Sequence, residues 1–423
     1  MEGREQGARR TSGQGKEIDS VETDMSPEER LERARQHIFS TGAEDSGTRL
    51  CLANMPYGLA KIHYVQEQLG YPPDATFVGS PDMTITRNIG RWQAGFGYGG
   101  KVSWGEGDRE FVVLDTKPNC CGMLVGAIDD LPDIPQLIER MAEMQADPPE
   151  LDGVPLTWDF AEGNHFIDIC VVDRLDPSVD LPPYTFVLHA AGNELRSATS
   201  HGPGLYWDFS NGLRHMAQAY ETPFGPLRVL EGEHAREYME FYRYADSFTK
   251  RRRLLAGERL FGEFRVIANE THQGLVNANE VILGCHHVER DAPGKLYPLM
   301  LRSDIPGYLL RGLPNFSDTA IEALGFTGRA ADLGVLHRLR QADLLPHGAG
   351  YVLPHILHVT RVLERAGRRY FECDTVNDRG REVISHPRDV PHDYRGRSVV
   401  LSTVELGLGQ IVAKLVPVRV LKT

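Results

Sequence analysis

Gly163-Asn164-His165-Phe166-Ile167-Asp168-Ile169-Cys170-Val171-Val172 and Tyr184-Thr185-Phe186-Val187-Leu188-His189 decide the reading of the fold. Both are runs of β-branched and aromatic residues, so both read as strands. Each carries a histidine at one end, and a ligand at a strand terminus is held by a rigid sheet, as a catalytic site requires. Working outward, Val281-Ile282-Leu283 is a strand running into Cys285-His286-His287, and Phe111 to Leu114, Val399 to Val404 and Ile411 to Leu421 read as further strands. Residues 47 to 128 read as short strands and loops punctuated by glycine and proline.

Helices are expected elsewhere. Ser26-Pro27-Glu28-Glu29 supplies an N-cap, a proline at the first helical position and a capping-box glutamate, which starts a short helix through Ile38. Gln136 to Met144, Leu213 to Tyr220, Phe316 to Leu324 and Ala330 to Leu339 read as helices, and Glu233 to Leu255 as a long amphipathic one. Strands and helices do not alternate as regular βαβ units. The expected class is therefore α+β, with helices packed against mainly antiparallel sheets.

The chemistry lies in histidines and cysteines spread over five segments: Asn119-Cys120-Cys121-Gly122, the histidines His165 and His189, the pair His286-His287, and His347-Gly348-Ala349-Gly350. Such scattered soft and borderline donors read as one metal site assembled by the fold, in contrast to the close C-x-x-C pairs of zinc fingers. Because the candidates run from Cys121 to His347, a boundary between them would split the site, so residues 26–423 are read as a single catalytic domain. Residues 1–25 have almost no large apolar side chain and read as a disordered tail.

The 423 residues are 41% hydrophobic and 25% charged, ordinary values for a globular protein. No apolar run approaches the ~20 residues of a membrane span. Six irregularly spaced cysteines and an N-terminus without an apolar signal core suit a reducing cytoplasm. A formal net charge of −13 tells against broad nonspecific binding to nucleic acid but leaves room for a local basic groove. Lys250-Arg251-Arg252-Arg253 reads as a solvated basic cap ending a helix.

The order of these segments resembles the RtcB family of RNA-splicing ligases. In that family a cysteine-glycine turn is followed by G-N-H-F, a histidine closing a hydrophobic strand, an H-H-N or S-H-N segment, H-G-A-G and a near-terminal P-x-G-V-x-K-G, here Pro417-Val418-Arg419-Val420-Leu421-Lys422-Thr423. Glu231-Gly232-Glu233 through Tyr238, Tyr244 and Ala245, and Tyr308 through Asn315, also resemble family segments, so that the likeness covers roughly residues 110 to 423.

The resemblance implies an RtcB-like fold with a central metal and nucleotide site. It also implies a GTP- and manganese-dependent activity, tRNA splicing or RNA repair, that joins an RNA 3′-phosphate to a 5′-hydroxyl, with tRNA halves or broken RNA ends as partners. His347 would be the nucleophile that carries GMP. The metal would fall to Cys121, His165, His189 and His287, or to His286 if the register is ungapped, with Asp115 standing in for a family aspartate where this chain has Pro118. Asn164, Phe166, Gly348, Ala349, Gly350 and Lys422 would bind the nucleotide. The P-D-V-H-x-G-K-G stretch survives at most as Pro81-Asp82-Met83, and the R-K-G-A segment and the arginine after H-G-A-G, here Tyr351, are lost. The metal-binding histidines thus outlast the cations.

Overall fold

Eleven strands join into one sheet that carries nearly all the chemistry. In this computed structural model the described residues are 25–160, 163–313, 316–365, 367–377 and 380–421; residues 1–24 of the expected tail, and Lys422, lie outside them. The strands are β1 Ile38–Ser40, β2 Thr76–Thr84, β3 Tyr98–Ser103, β4 Cys121–Ile128, β5 Phe166–Arg174, β6 Tyr184–Ala190, β7 Arg265–Asn277, β8 Glu280–Leu283, β9 Leu296–Leu299, β10 Gly307–Gly312 and β11 Gly409–Leu421. Their spatial order is β1-β2-β3-β8-β7-β4-β6-β5-β11-β10-β9. β1 pairs parallel with β2, and every other neighbouring pair is antiparallel. The protein is α+β, with helices against mostly antiparallel sheets.

The strand at Phe166 extends to Arg174 and that at Tyr184 to Ala190, which places them side by side with Phe166 opposite His189. Ile411 to Leu421 also forms a strand, beginning two residues earlier. At the N-terminus, Ser26 caps a helix over Pro27–Gln36 with its capping box complete, and the chain turns into β1 two residues later.

Four element assignments are corrected. Residues 47 to 128 are not only strands and loops, because Ser46–Gln68 is a helix with Pro56 inside it. That helix is buried on nearly all sides, so it shows no amphipathic stripe, and its proline and glycines read as loop signals. Ser398–Glu405 is a helix where a strand is expected, since Val399 and Val400 are buried in one cluster with Leu345 and Phe39 while Leu401 and Val404 face outward. Leu213 to Tyr220 splits into the helix Asn211–Met216 and the strand Gln218–Tyr220. Ala330 to Leu339 splits into Thr327–Asp332 and Leu336–Arg340, separated by Gly334 in the left-handed region at φ +71°.

The long helix runs over Gly232–Phe261 and packs across β4, β6 and β7. It continues two turns past the basic run. Arg252 and Arg253 are therefore not a solvated cap: both lie wholly buried beneath the sheet. Among the described residues no helix is long and apolar enough to cross a membrane.

Candidate metal centre and active site

β4 opens at Cys121, next to β6 on one side and β7 on the other. Met123 lies opposite His189, so that β6 brings its histidine to the same end of the sheet. The ladder between β7 and β4 pairs Thr271 with Gly122 and Gln273 with Cys121, leaving His272 on a bulge between them. A bulge re-aims a side chain. Here it turns His272 toward the sulfur of Cys121.

The donor atoms converge. Cys121 Sγ lies 3.1 Å from His189 Nε2 and 3.5 Å from His165 Nε2, and His189 Nε2 lies 3.2 Å from His272 Nε2. Donor atoms of Cys121, His189 and His272 all lie within 4.8 Å of one another, and all three residues are buried. The far sides of two rings are fixed: His165 Nδ1 meets the Asp159 carboxylate at 2.8 Å, and His189 Nδ1 meets the Asn164 carbonyl at 3.2 Å. If His189 donates from Nδ1, its Nε2 holds a lone pair aimed at the sulfur and at His272. His272 Nδ1 is buried with no hydrogen-bond partner. Lone pairs crowded around one sulfur are poorly satisfied by hydrogen bonds alone, and a divalent cation would satisfy them together. An N,S set of this kind suits Zn²⁺, Fe²⁺, Co²⁺ or Ni²⁺ at least as well as Mn²⁺.

Behind the set lies a buried ionic chain. Arg252 donates from Nη2 to Asp159 Oδ1 at 2.9 Å and from Nε to Glu194 Oε1 at 2.6 Å, while Asn193 and the Ala191 amide donate to Asp159 Oδ2. Burial disfavours the charged form of His165, but the neighbouring Cys121 thiolate and Asp159 outweigh it and raise its pKa to about 10. Asp159 is held well below the ordinary carboxylate range: burial opposes this, and His165 and Arg252 prevail. His189 and His272 move the other way, kept neutral by burial and by neighbouring histidines. Neutral imidazole is the ligating form.

His347 follows the strand Leu344–Pro346, and its Nδ1 lies 3.0 Å from Asp82 Oδ2. The same oxygen accepts from the His347 amide at 3.2 Å and the Gly348 amide at 3.3 Å, and Ser80 donates to the other oxygen of Asp82. Gly350 sits at φ +69°, and a Cβ there would come within 2.4 Å of the Asp82 carbonyl, so only glycine lets the turn close over Asp82. The ring of His347 lies 4.3 Å from that of His272, centroid to centroid. A cavity of about 320 Å³ opens in front of these groups, lined by His347, Gly348, Ala349, Gly350, Asn164, Phe166, Asp168 and His189.

The structure thus brings Cys121, His165 and His189 together and sets His347 beside them. It does not bring His286, His287 or Asp115 to Cys121. Strand alternation sends His286 and His287 to opposite faces. His286 donates to the Pro298 carbonyl at 2.8 Å, whereas His287 lines outer cavities with Lys101, Asp343 and Glu289. Asp115 lies in the turn Leu114–Thr116, where it accepts from Trp207 Nε1 and the Arg228 amide, both at 2.9 Å. His272 takes the place expected of His287. Its signal was present as Thr271-His272-Gln273, a hydroxyl residue, a histidine and an amide in the order of an S-H-N segment. Gly348 departs from a free phosphate-binding amide, because Asp82 already engages its N–H. No protein-family model matches the chain, and no curated protein matches it.

Proposed function

We propose that the chain is an RtcB-like RNA ligase with residues 26–423 as one catalytic domain, joining an RNA 3′-phosphate to a 5′-hydroxyl through a guanylylated His347. The observation that carries this reading is the contact of an Asp82-held His347 with His272 of the Cys/His set at the wall of one cavity. With Nδ1 bound to Asp82, Nε2 of His347 is the nitrogen left to attack the α-phosphorus of GTP, forming an N–P bond as pyrophosphate leaves. GMP then passes to the RNA 3′-phosphate, freeing His347, and the 5′-hydroxyl displaces GMP to give the phosphodiester. Cys121, His165, His189 and His272 would hold the divalent metal, manganese in this reading. Bound there, the ion supplies Lewis-acid stabilisation of phosphoryl charge. Asp168, a buried carboxylate on the cavity wall, suits the N1–H and amino group of a guanine edge.

A second reading, a divergent paralogue acting on another phosphorylated substrate, is favoured by one feature of the same cavity. Its wall carries Asp168, Asp304 and Asp393 against one cation, Arg302, and Arg302 is paired with Asp304 at 2.7 Å. A binding protein without catalysis is the third. Incubation with labelled GTP and Mn²⁺, followed by acid lability of any adduct, separates them. The ligase reading expects an adduct lost in His347→Ala and RNA sealing by the wild type. An adduct without sealing selects the paralogue, and metal binding with no adduct removes the His347 chemistry.

A further inference from the structure

The Cys/His set opens on two sides. His189 lines the cavity shared with His347, whereas His165 lines a second space of about 600 Å³, and Asn164 lines both. Arg87, Lys117, Arg196 and Arg388 converge on this second space. Lys117 is paired with Asp208, and among the described residues the three guanidinium groups have no carboxylate within ion-pair distance. Arg87 Nε and Arg196 Nε are buried without a hydrogen-bond partner. In a chain with 59 acidic residues against 46 basic ones, such a concentration of unneutralised guanidinium groups points to an anionic occupant.

Aromatic rings lie among the cations. Lys117 Nζ lies 5.5 Å and the Arg196 guanidinium 5.9 Å from the centre of the buried Tyr206 ring, and Arg196 lies 5.9 Å from that of Phe209, which is 56% exposed and is the ring of the two that is open to a base. Cations that follow a backbone, interleaved with rings on which bases stack, are how proteins hold single-stranded nucleic acid. We propose that this groove binds the phosphorylated end of a single-stranded polynucleotide, its terminal phosphate next to His165. The proposal rests on the ligase reading for the identity of that end as 3′. It assigns the role to cations at positions other than those where the RtcB pattern loses them.

The test is fluorescence anisotropy of short labelled RNA strands with the full-length, metal-loaded protein in the absence of GTP. The 3′-phosphorylated strand is expected to bind at least about fivefold more tightly than its 3′-hydroxyl counterpart, a charge-assisted contact being at stake. Arg196→Gln and the exposed Arg388→Gln should each weaken it by a similar factor, and each should reduce the slope of log K against log salt by about 0.7. Arg265→Glu, on an exposed strand end away from the groove, is the control and should bind as the wild type does. Equal binding of the two strands, tighter binding of an acidic peptide, or unaltered affinity in both arginine variants overturns the proposal. Guanylylation is scored separately: phosphate-dependent binding without an adduct removes the ligase reading and leaves the groove, and an adduct without strand binding does the reverse.

Discussion

The imidazole of His272 is tilted by 37° against that of His347, with ring centres 4.3 Å apart. One side chain therefore serves two neighbours, presenting Nε2 to His189 while its ring packs on the residue held by Asp82. His272→Ala is expected to weaken divalent-metal binding by more than the ~10–100-fold that loss of an outer hydrogen-bond partner costs. Competition against a chromogenic chelator measures this, and an unaltered affinity would remove His272 from the ligand set.

Asp159 tests the support behind the metal. Asp159→Asn keeps the shape but loses the charge that orients His165, and metal affinity should fall about 10–100-fold. With Co²⁺ bound, the visible spectrum should shift, because it reports coordination geometry at the metal and a change of packing elsewhere would not move it.

Arg252 is the stability prediction. Arg252→Met would leave Glu194 buried without its ion-pair partner and Asp159 with His165 alone, both carboxylates being almost wholly inaccessible. Breaking a buried ionic network in this way costs about 3–5 kcal/mol. Urea unfolding of the metal-free protein should show a loss of that size, whereas Arg251→Met, on the solvent side of the same helix, should lose less than about 1 kcal/mol.

His165 sets the pH dependence. Its pKa rises from 6.5 to about 10 in the folded chain, where burial opposes the charged ring and the Cys121 thiolate and Asp159 outweigh it. A proton held more tightly when folded stabilises the fold; that contribution is complete below pH 6.5 and disappears as pH climbs toward 10. The melting temperature of the metal-free protein should fall across this window, and His165→Gln should lack that component. Ligation requires the neutral ring, so metal binding should release a proton and tighten as pH rises, which calorimetry in buffers of different ionisation enthalpy can verify.

Asp82 separates orientation from nucleophilicity. Asp82→Asn should slow adduct formation by about 10²- to 10⁴-fold, the range seen when the carboxylate that sets a catalytic tautomer is neutralised. His347→Ala should abolish it. Equal adduct rates in wild type and Asp82→Asn would show that the 3.0 Å contact does not select the attacking nitrogen.

Much of the β-structure was legible because Phe166–Arg174 and Tyr184–Ala190 are runs of β-branched and aromatic residues, with His165 just before the first and His189 near the end of the second. The helix Ser46–Gln68 was not, because burial on all sides erases amphipathy. In the site, Cys121, His165, His189 and His347 announced themselves by their motifs. His272 had only the degenerate signal of Thr271-His272-Gln273, since its role depends on a ladder irregularity between Thr271 and Gln273 that exists only once β7 has paired with β4. His287 misled for the complementary reason: without strand alternation, two adjacent histidines look equivalent. The burial of Arg252 and Arg253 depends on the helix continuing to Phe261, so a basic run alone could not show it.

The bulge at His272 also dictates when the site can come into being. Its donors reside on strands separated by up to 151 positions, from Cys121 to His272, and adjoin only in the finished sheet. A nascent chain emerging from the ribosome displays Cys121, His165 and His189 long before their fourth companion is synthesised. If the site holds a metal, the full four-donor set would be completed only after β7 has been synthesised and has paired with β4.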